Sequence, residues 1–327
     1  MEKSSRKKKT KVNKSTKSVK KRKGSKKGGD KTRIEVNTTV SPDIAWQYEV
    51  GAKKLVKDNS FGADACKAEF CSNRTPPPPQ TACAGFYQNL AKNRNPAIPI
   101  ADATRVKLQN PAGAYINAVK VTNPAEPNRT ILIGQVPEKY ELEIFWRMVF
   151  DENITSVFMA AGNVPINDYI PLTVGAFSTI GKMFLNNKKV DTISKETGIF
   201  TIELLPEGCS NSLFVTIYCS PHWVFGKGPS IASDCTTICE KIGKQMDGIM
   251  FCSWNGVGRS GAMLMIYCIM SHIMKNVDVK ISDLFSRLRG QKFGIVENPE
   301  QYYSIYQTVG GWIKQNSHDN ELVKMVQ

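Results

Sequence analysis

One stretch carries residue types whose spacing could do chemistry: Gly248–Met265, GIMFCSWNGVGRSGAMLM. An apolar run leads into Gly256-Val257-Gly258-Arg259-Ser260-Gly261, and this glycine-rich loop opens onto a second apolar run, Ala262–Met274. The backbone N–H groups at a helix start are unpaired and point outward, so a strand, a tight loop and a helix N-terminus make an anion cradle. Arg259 adds a planar, permanently charged fork suited to a phosphate. Two nucleophile-bearing residues, Cys252 and Ser253, stand at the head of the loop. Their register relative to Arg259 decides whether the cradle can do more than bind.

The elements that must position this loop follow from pattern. Ser156–Ala160, Lys182–Leu185, Gly198–Leu205 and Leu213–Cys219 are rich in β-branched and aromatic residues and predict strands. Glu141–Glu152, Ser233–Met246, Ala262–Met274 and Gln301–Lys314 have helical spacing. Strands lie mainly in the middle and helices mainly at the end, which predicts an α/β (α+β) domain with a central mixed, twisted sheet flanked by helices. The folded body is expected over residues 86–316, with 34–85 as a linker and N-terminal extension and 317–327 as a C-terminal tail. Pro76–Pro79 favours a stiff, extended segment in the linker.

Charge is distributed unevenly. Of 327 residues, 1–33 hold 16 Lys/Arg against Glu2 and Asp30, a net of +14, and the rest of the chain nets +1. Such a Lys/Arg-rich tail cannot bury a core and is expected to be disordered. It is either a solvated tail or a contact for nucleic acid, an anionic membrane or the import machinery. No aromatic interrupts it, which argues against base stacking. Nine cysteines, an odd number with no CxxC pair, argue against a disulfide framework or a zinc site. No metal and no cofactor is implied. The charged start offers no apolar signal region, and the longest apolar run, Ala262–Met270, is too short to span a membrane. An intracellular location, cytoplasmic and/or nuclear, is expected.

The loop resembles the signature of the protein tyrosine phosphatase family, His-Cys, five residues, Arg, then Ser/Thr-Gly. The resemblance extends well beyond it. Lys92-Asn93-Arg94 followed by Asp102–Leu108 resembles the family's phosphotyrosine-loop region, and Tyr115-Ile116-Asn117-Ala118 its YINA element. Ile131–Pro137 is similar to its IATQGP segment, Phe145-Trp146-Arg147-Met148-Val149 to its FWRMVW helix, and Arg289 with Gly294-Ile295-Val296 and Glu300-Gln301-Tyr302 to its closing segment. Order and spacing agree from about Phe86 to Trp312. The resemblance implies a single phosphatase-like domain.

It also locates what has changed. Counting back six positions from Arg259 places the family nucleophile at Ser253 and the family histidine at Cys252, with Trp254, Asn255, Gly256, Val257 and Gly258 completing the phosphate-binding loop. An inserted residue that left Cys252 active would break the convergence of successive amides on one anion. Alternation along a strand end instead turns Cys252 away, as a small buried hydrophobe. The family relies on a thiolate with a depressed pKa, whereas a hydroxyl needs an adjacent base. Only His222, His272 and His318 occur, and the family geometry gives none of them that task. In the mobile acid loop, Trp223–Pro229, the general-acid position falls on Phe225 and the preceding proline on Val224. The water-orienting glutamine falls on Glu297, the pocket-walling tyrosine on Asn95 and the peptide-holding aspartate on Ala97, while Gln301 is retained.

The reading this supports is a non-catalytic regulatory or scaffolding module that binds a protein partner, a phosphotyrosine protein or a kinase among the candidates. Two alternatives stand beside it. One is an active protein tyrosine phosphatase with atypical residues. The other is a nucleic-acid-associated protein acting through the basic tail. Glu297 is expected to meet Arg259 directly or through water, or else to sit solvated at the rim.

Overall fold

The computed structural model describes residues 46–109, 111, 113–162 and 165–326. The basic stretch 1–33 lies outside the described residues.

In chain order the elements are α1 (Glu49–Asp58), α2 (Ala63–Ser72), α3 (Ala84–Gln88), β1 (Ala118–Asn123), β2 (Glu126–Gln135), α4 (Leu142–Asp151), β3 (Ile154–Ala160), β4 (Phe177–Ile180), β5 (Met183–Ser194), β6 (Thr197–Pro206), β7 (Leu213–Cys219), α5 (Ala232–Gly243), β8 (Gly248–Ser253), α6 (Arg259–Met274), α7 (Ile281–Gln291), α8 (Pro299–Asn316) and α9 (Asn320–Met325). The strands form one mixed sheet in the order β1-β2-β8-β3-β7-β6-β5-β4. The central set β2, β8, β3 and β7 is parallel, and both flanks are antiparallel.

The apolar run of β8 is explained by its place. Parallel strands covered on both faces lose the polar half of their alternation. Ile249 and Phe251 pack into the layer that holds α6, α8, α5 and α1, while Met250 and Cys252 pack into the layer built on Phe145, Trp146 and Val149 of α4. α6 is buried along nearly its whole length, so it has no polar stripe to reveal its orientation. Wedged between β8 and the other core helices, it fixes the loop at its N-terminus.

All four expected strand segments fall on strands and all four expected helical segments on helices. β5 continues to Ser194 through the polar stretch Asn186–Thr192, held by its antiparallel register with β6 rather than by an apolar pattern.

The expected boundaries of the body need correction at both ends. From Trp46, the segment placed in a linker is packed structure. Leu55, Val56, Phe61 and Phe70 are buried in the main core. A Cβ at Gly51 would lie 2.1 Å from the Ile273 carbonyl oxygen, so α1 touches the backbone of α6 directly. The physical reason is that α1 and α2 cover faces of α6 and α8 that the later chain leaves open. The expected C-terminal tail also docks. Leu322 of α9 is buried, Asp319 caps the helix, and Lys53 pairs with Asp319 at 2.7 Å.

Candidate functional site

The loop leaves β8 at Ser253 and enters α6 at Arg259, with Gly258 at the N-cap. Its turn is closed by Gly256 N–H donating to the Ser253 carbonyl (3.0 Å), and its shape is tied down by Val136 N–H to Ser253 O (2.8 Å) and Val296 N–H to Val257 O (3.0 Å). Gly256 has φ +67°, and a Cβ there would lie 2.5 Å from the backbone of Gly134 and Gln135. Both the dihedral and the close approach require glycine.

Cys252 and Ser253 face opposite layers. The Cys252 thiol is fully buried on the α4 side, 3.3 Å from the Phe158 carbonyl, and burial drives its pKa far above the ordinary thiol range. Ser253 faces α6, where its hydroxyl pairs with that of Ser260 at 2.8 Å. No carboxylate or imidazole hydrogen-bonds it among the described residues, so no general base is in place to activate it.

Arg259 is 5% exposed. One of its N–H groups donates to the Trp223 carbonyl at 2.8 Å, which holds the Trp223–Pro229 loop against the cradle. Burial lowers its pKa, with Glu297 acting in the opposite sense. A Cβ at Gly162 would come within 2.9 Å of Nη1, so the absence of a side chain there leaves the guanidinium edge uncovered. Trp223 is buried and its indole donates to the Lys227 carbonyl at 2.8 Å. Val224 and Phe225 point outward, 60% and 57% exposed. At Phe225 the chain presents a hydrocarbon ring that cannot donate a proton.

Glu297 does not pair with Arg259: no carboxylate lies within 4 Å of that guanidinium among the described residues. It stands over the helix start instead. A Cβ at Gly258 would meet the Glu297 Oε2 at 2.0 Å and the Gln301 Nε2 at 3.1 Å. Burial raises the Glu297 carboxyl above its ordinary range, and Asn255 and Arg259 oppose that rise. Gln301 is fully buried, accepts from Glu297 N–H at 3.0 Å, and leaves its Nε2 without a partner beside the same N-cap. α8 begins just beyond, capped by the Asn298 side chain with Pro299 in its first turn. This cap sets the position of Glu297 and Gln301.

A helix N-terminus carries partial positive charge and attracts an anion, so a second anion there must displace the first or be repelled by it. A unit charge about 4 Å away is worth about 4 kcal/mol at an effective dielectric of 20. Glu297→Gln is therefore expected to bind sulfate at least about tenfold more tightly than the parent. In the parent, sulfate affinity is expected to rise as pH falls towards the raised Glu297 pKa, and in the variant to stay flat. Calorimetric titration over that range checks both, and equal affinities would remove Glu297 from the account.

Asn95 and Ala97 engage each other. The Asn95 side chain accepts from Ala97 N–H at 2.9 Å, closing its own turn, and supplies neither ring nor carboxylate. Arg94 and Trp254, named separately from the sequence, meet in a contact that pattern alone does not reveal. Arg94 lies over the Trp254 ring at 3.8 Å and is pinned by the carbonyls of Val136 (2.9 Å) and Pro137 (3.1 Å) and by Glu138 (3.0 Å). Trp254 thus becomes a fixed aromatic wall. The sequence signal was a bulky ring inside a glycine-rich loop. Trp254, Arg259, His222, Val224 and Phe225 line one cleft of about 550 Å³.

No group of three His, Cys, Asp or Glu side chains able to hold a metal occurs among the described residues. No described helix is long and apolar enough to cross a membrane.

The family model for protein-tyrosine phosphatase matches residues 89–310. The Caenorhabditis elegans protein named "Putative tyrosine-protein phosphatase C15H7.3" is 34% identical over 286 residues, 86% of this chain and 71% of that protein. Rat receptor-type tyrosine-protein phosphatase zeta is 27% identical over 68% of this chain, which spans 10% of its length. Among solved structures, the Trypanosoma cruzi protein tyrosine phosphatase TcPTP1 superposes with a TM-score of 0.67 at 19% identity, covering 76% of this chain and 92% of that one.

Proposed function

The chain belongs to the protein-tyrosine phosphatase family, and from that premise we propose that it is a non-catalytic member, a regulatory or scaffolding module that binds a protein partner without hydrolysing phosphotyrosine. The observation that carries this reading is the register at the end of β8. The residue facing the cradle is Ser253, its hydroxyl engaged by Ser260, while the neighbouring thiol of Cys252 lies in the opposite layer. A thiolate nucleophile is what this cradle would activate, and none faces it.

Two further features support the same reading. At the general-acid position, Phe225 holds no transferable proton, and a missing donor alone costs about 10²–10⁴-fold. Glu297 puts a carboxylate where a phosphate would approach the helix start. The retained loop and Arg259 fit a role in which the site, or the surface around it, recognises a partner. An intracellular setting, cytoplasmic or nuclear, is part of this proposal.

The reading is tested by prolonged incubation of the full chain with a stoichiometric phosphotyrosine peptide, followed by mass spectrometry. The peptide is expected to be recovered intact, with no phosphate on the protein. Loss of phosphate that Arg259→Ala abolishes would establish the active-phosphatase alternative.

A further inference from the structure

Around the loop lies a concentration of groups that the phosphatase frame does not use. Val224, Phe225 and Trp254 are three of the exposed large apolar side chains of the described residues, and all line a cleft that reaches Arg259. Solitary exposed apolar residues are ordinary, but several around one concavity mark a binding site. At the base of the cleft sits the guanidinium of Arg259, a residue 5% exposed, which makes one hydrogen bond among the described residues, to the Trp223 carbonyl, and turns its other N–H groups towards the cleft. A guanidinium carries five N–H donors. Buried charge left without its full set of partners is costly and calls for a counter-ion. Gly162, with φ +66°, keeps the guanidinium edge open to this cleft, because a Cβ there would press on Nη1 and Nη2.

Resting on the reading that the site binds without turnover, we propose that this cleft takes an apolar carboxylate, the C-terminal aromatic residue of a partner peptide. The carboxylate forks onto Arg259 and the ring lies between Trp254 and Phe225. Three observations favour a carboxylate over a phosphate dianion. Among the described residues lining the cleft, Arg259 is the one with a full positive charge, which a monoanion matches. The helix-start amides that would share a dianion's charge lie under Glu297. Planar carboxylate and guanidinium groups pair in a bidentate fork. The aromatic wall is preorganised, because Arg94 stacks on the Trp254 ring at 3.8 Å and is itself pinned by backbone carbonyls. Such a wall loses little freedom on binding.

The test uses the full chain and three probes: N-acetyl-Gly-Phe with a free carboxylate, the same peptide as its C-terminal amide, and N-acetyl-phosphotyrosine amide. Calorimetric titration is expected to show the acid binding at least about tenfold more tightly than either other probe, tenfold corresponding to about 1.4 kcal/mol. Val224→Asp, which puts a negative charge at the rim of the cleft, is expected to weaken the acid about tenfold and the amide by less. Arg259→Ala is expected to erase the preference for the acid. Equal binding of acid and amide, no binding of the acid, or tighter binding of the phosphotyrosine probe would overturn the proposal. Release of phosphate from the third probe would instead overturn the non-catalytic reading beneath it.

Discussion

A Ser253→Cys variant is expected to gain one thiolate that ionises below the ordinary thiol range, while Cys252 beside it stays a neutral thiol. The two positions are adjacent in sequence and opposite in environment. Position 253 faces the N-terminus of α6 and the layer of Arg259, where a helix start and a cation stabilise a thiolate and bring cysteine pKa values to about 7 or below. Cys252 is fully buried against the Phe158 carbonyl and Cys219, and burial raises its pKa far above the usual value. At neutral pH essentially all of the thiolate therefore belongs to position 253. A pH titration of thiolate ultraviolet absorbance, taken as the difference between variant and parent, measures the new group, and Cys252→Ser in the variant background should leave that difference unchanged. A variant without the extra low-pH thiolate, or one whose signal disappears with Cys252→Ser, would mean that the loop register is misassigned.

The second large effect concerns what holds the cradle in place. A chain that starts at residue 86 is expected not to fold. It retains the whole matched frame from residue 89, but it lacks α1 and α2. Those helices and the link between them bury Leu55, Val56, Phe61 and Phe70. At about 1.5–3 kcal/mol for each large side chain, their loss removes about 6–12 kcal/mol as an upper estimate. That is comparable to the whole stability of a domain, about 5–15 kcal/mol. It also uncovers α6 where the α1 backbone meets Ile273, and the Tyr302 and Tyr306 hydroxyls that donate to Glu69. Urea unfolding followed by circular dichroism checks this. The full chain should show one cooperative transition and the shortened chain none. A cooperative transition of the shortened chain would restore the boundary expected from sequence at residue 86.

Much of the frame was legible because it rests on local pattern. Strand segments such as Leu213–Cys219 and helical ones such as Gln301–Lys314 declare themselves by side-chain type and period, and alternation at the end of β8 sufficed to turn Cys252 away from Ser253. What escaped depends on long-range contact. In α1 and α2 the buried positions are sparse and interleaved with lysine and aspartate, so their burial is decided by α6 and α8, far along the chain. The antiparallel pair β1 and β2 was seen only as fragments of a familiar motif, because strand pairing supplies what the composition does not. Asn95 was identified as a lost wall, but nothing in the sequence pairs Arg94 with Trp254. Pattern left Glu297 either meeting Arg259, directly or through water, or solvated at the rim, and only the fold shows its carboxylate over Gly258, beside the Asn298 cap.

In the non-catalytic reading proposed above, this cradle has no working nucleophile. The most direct measurement is steady-state hydrolysis of an aryl phosphate whose leaving group departs without protonation, by the parent chain and by Arg259→Ala. Such a substrate bypasses Phe225, so the outcome reports on position 253 and the loop. No turnover above buffer is expected for either protein. Turnover by the parent that Arg259→Ala abolishes would contradict that reading.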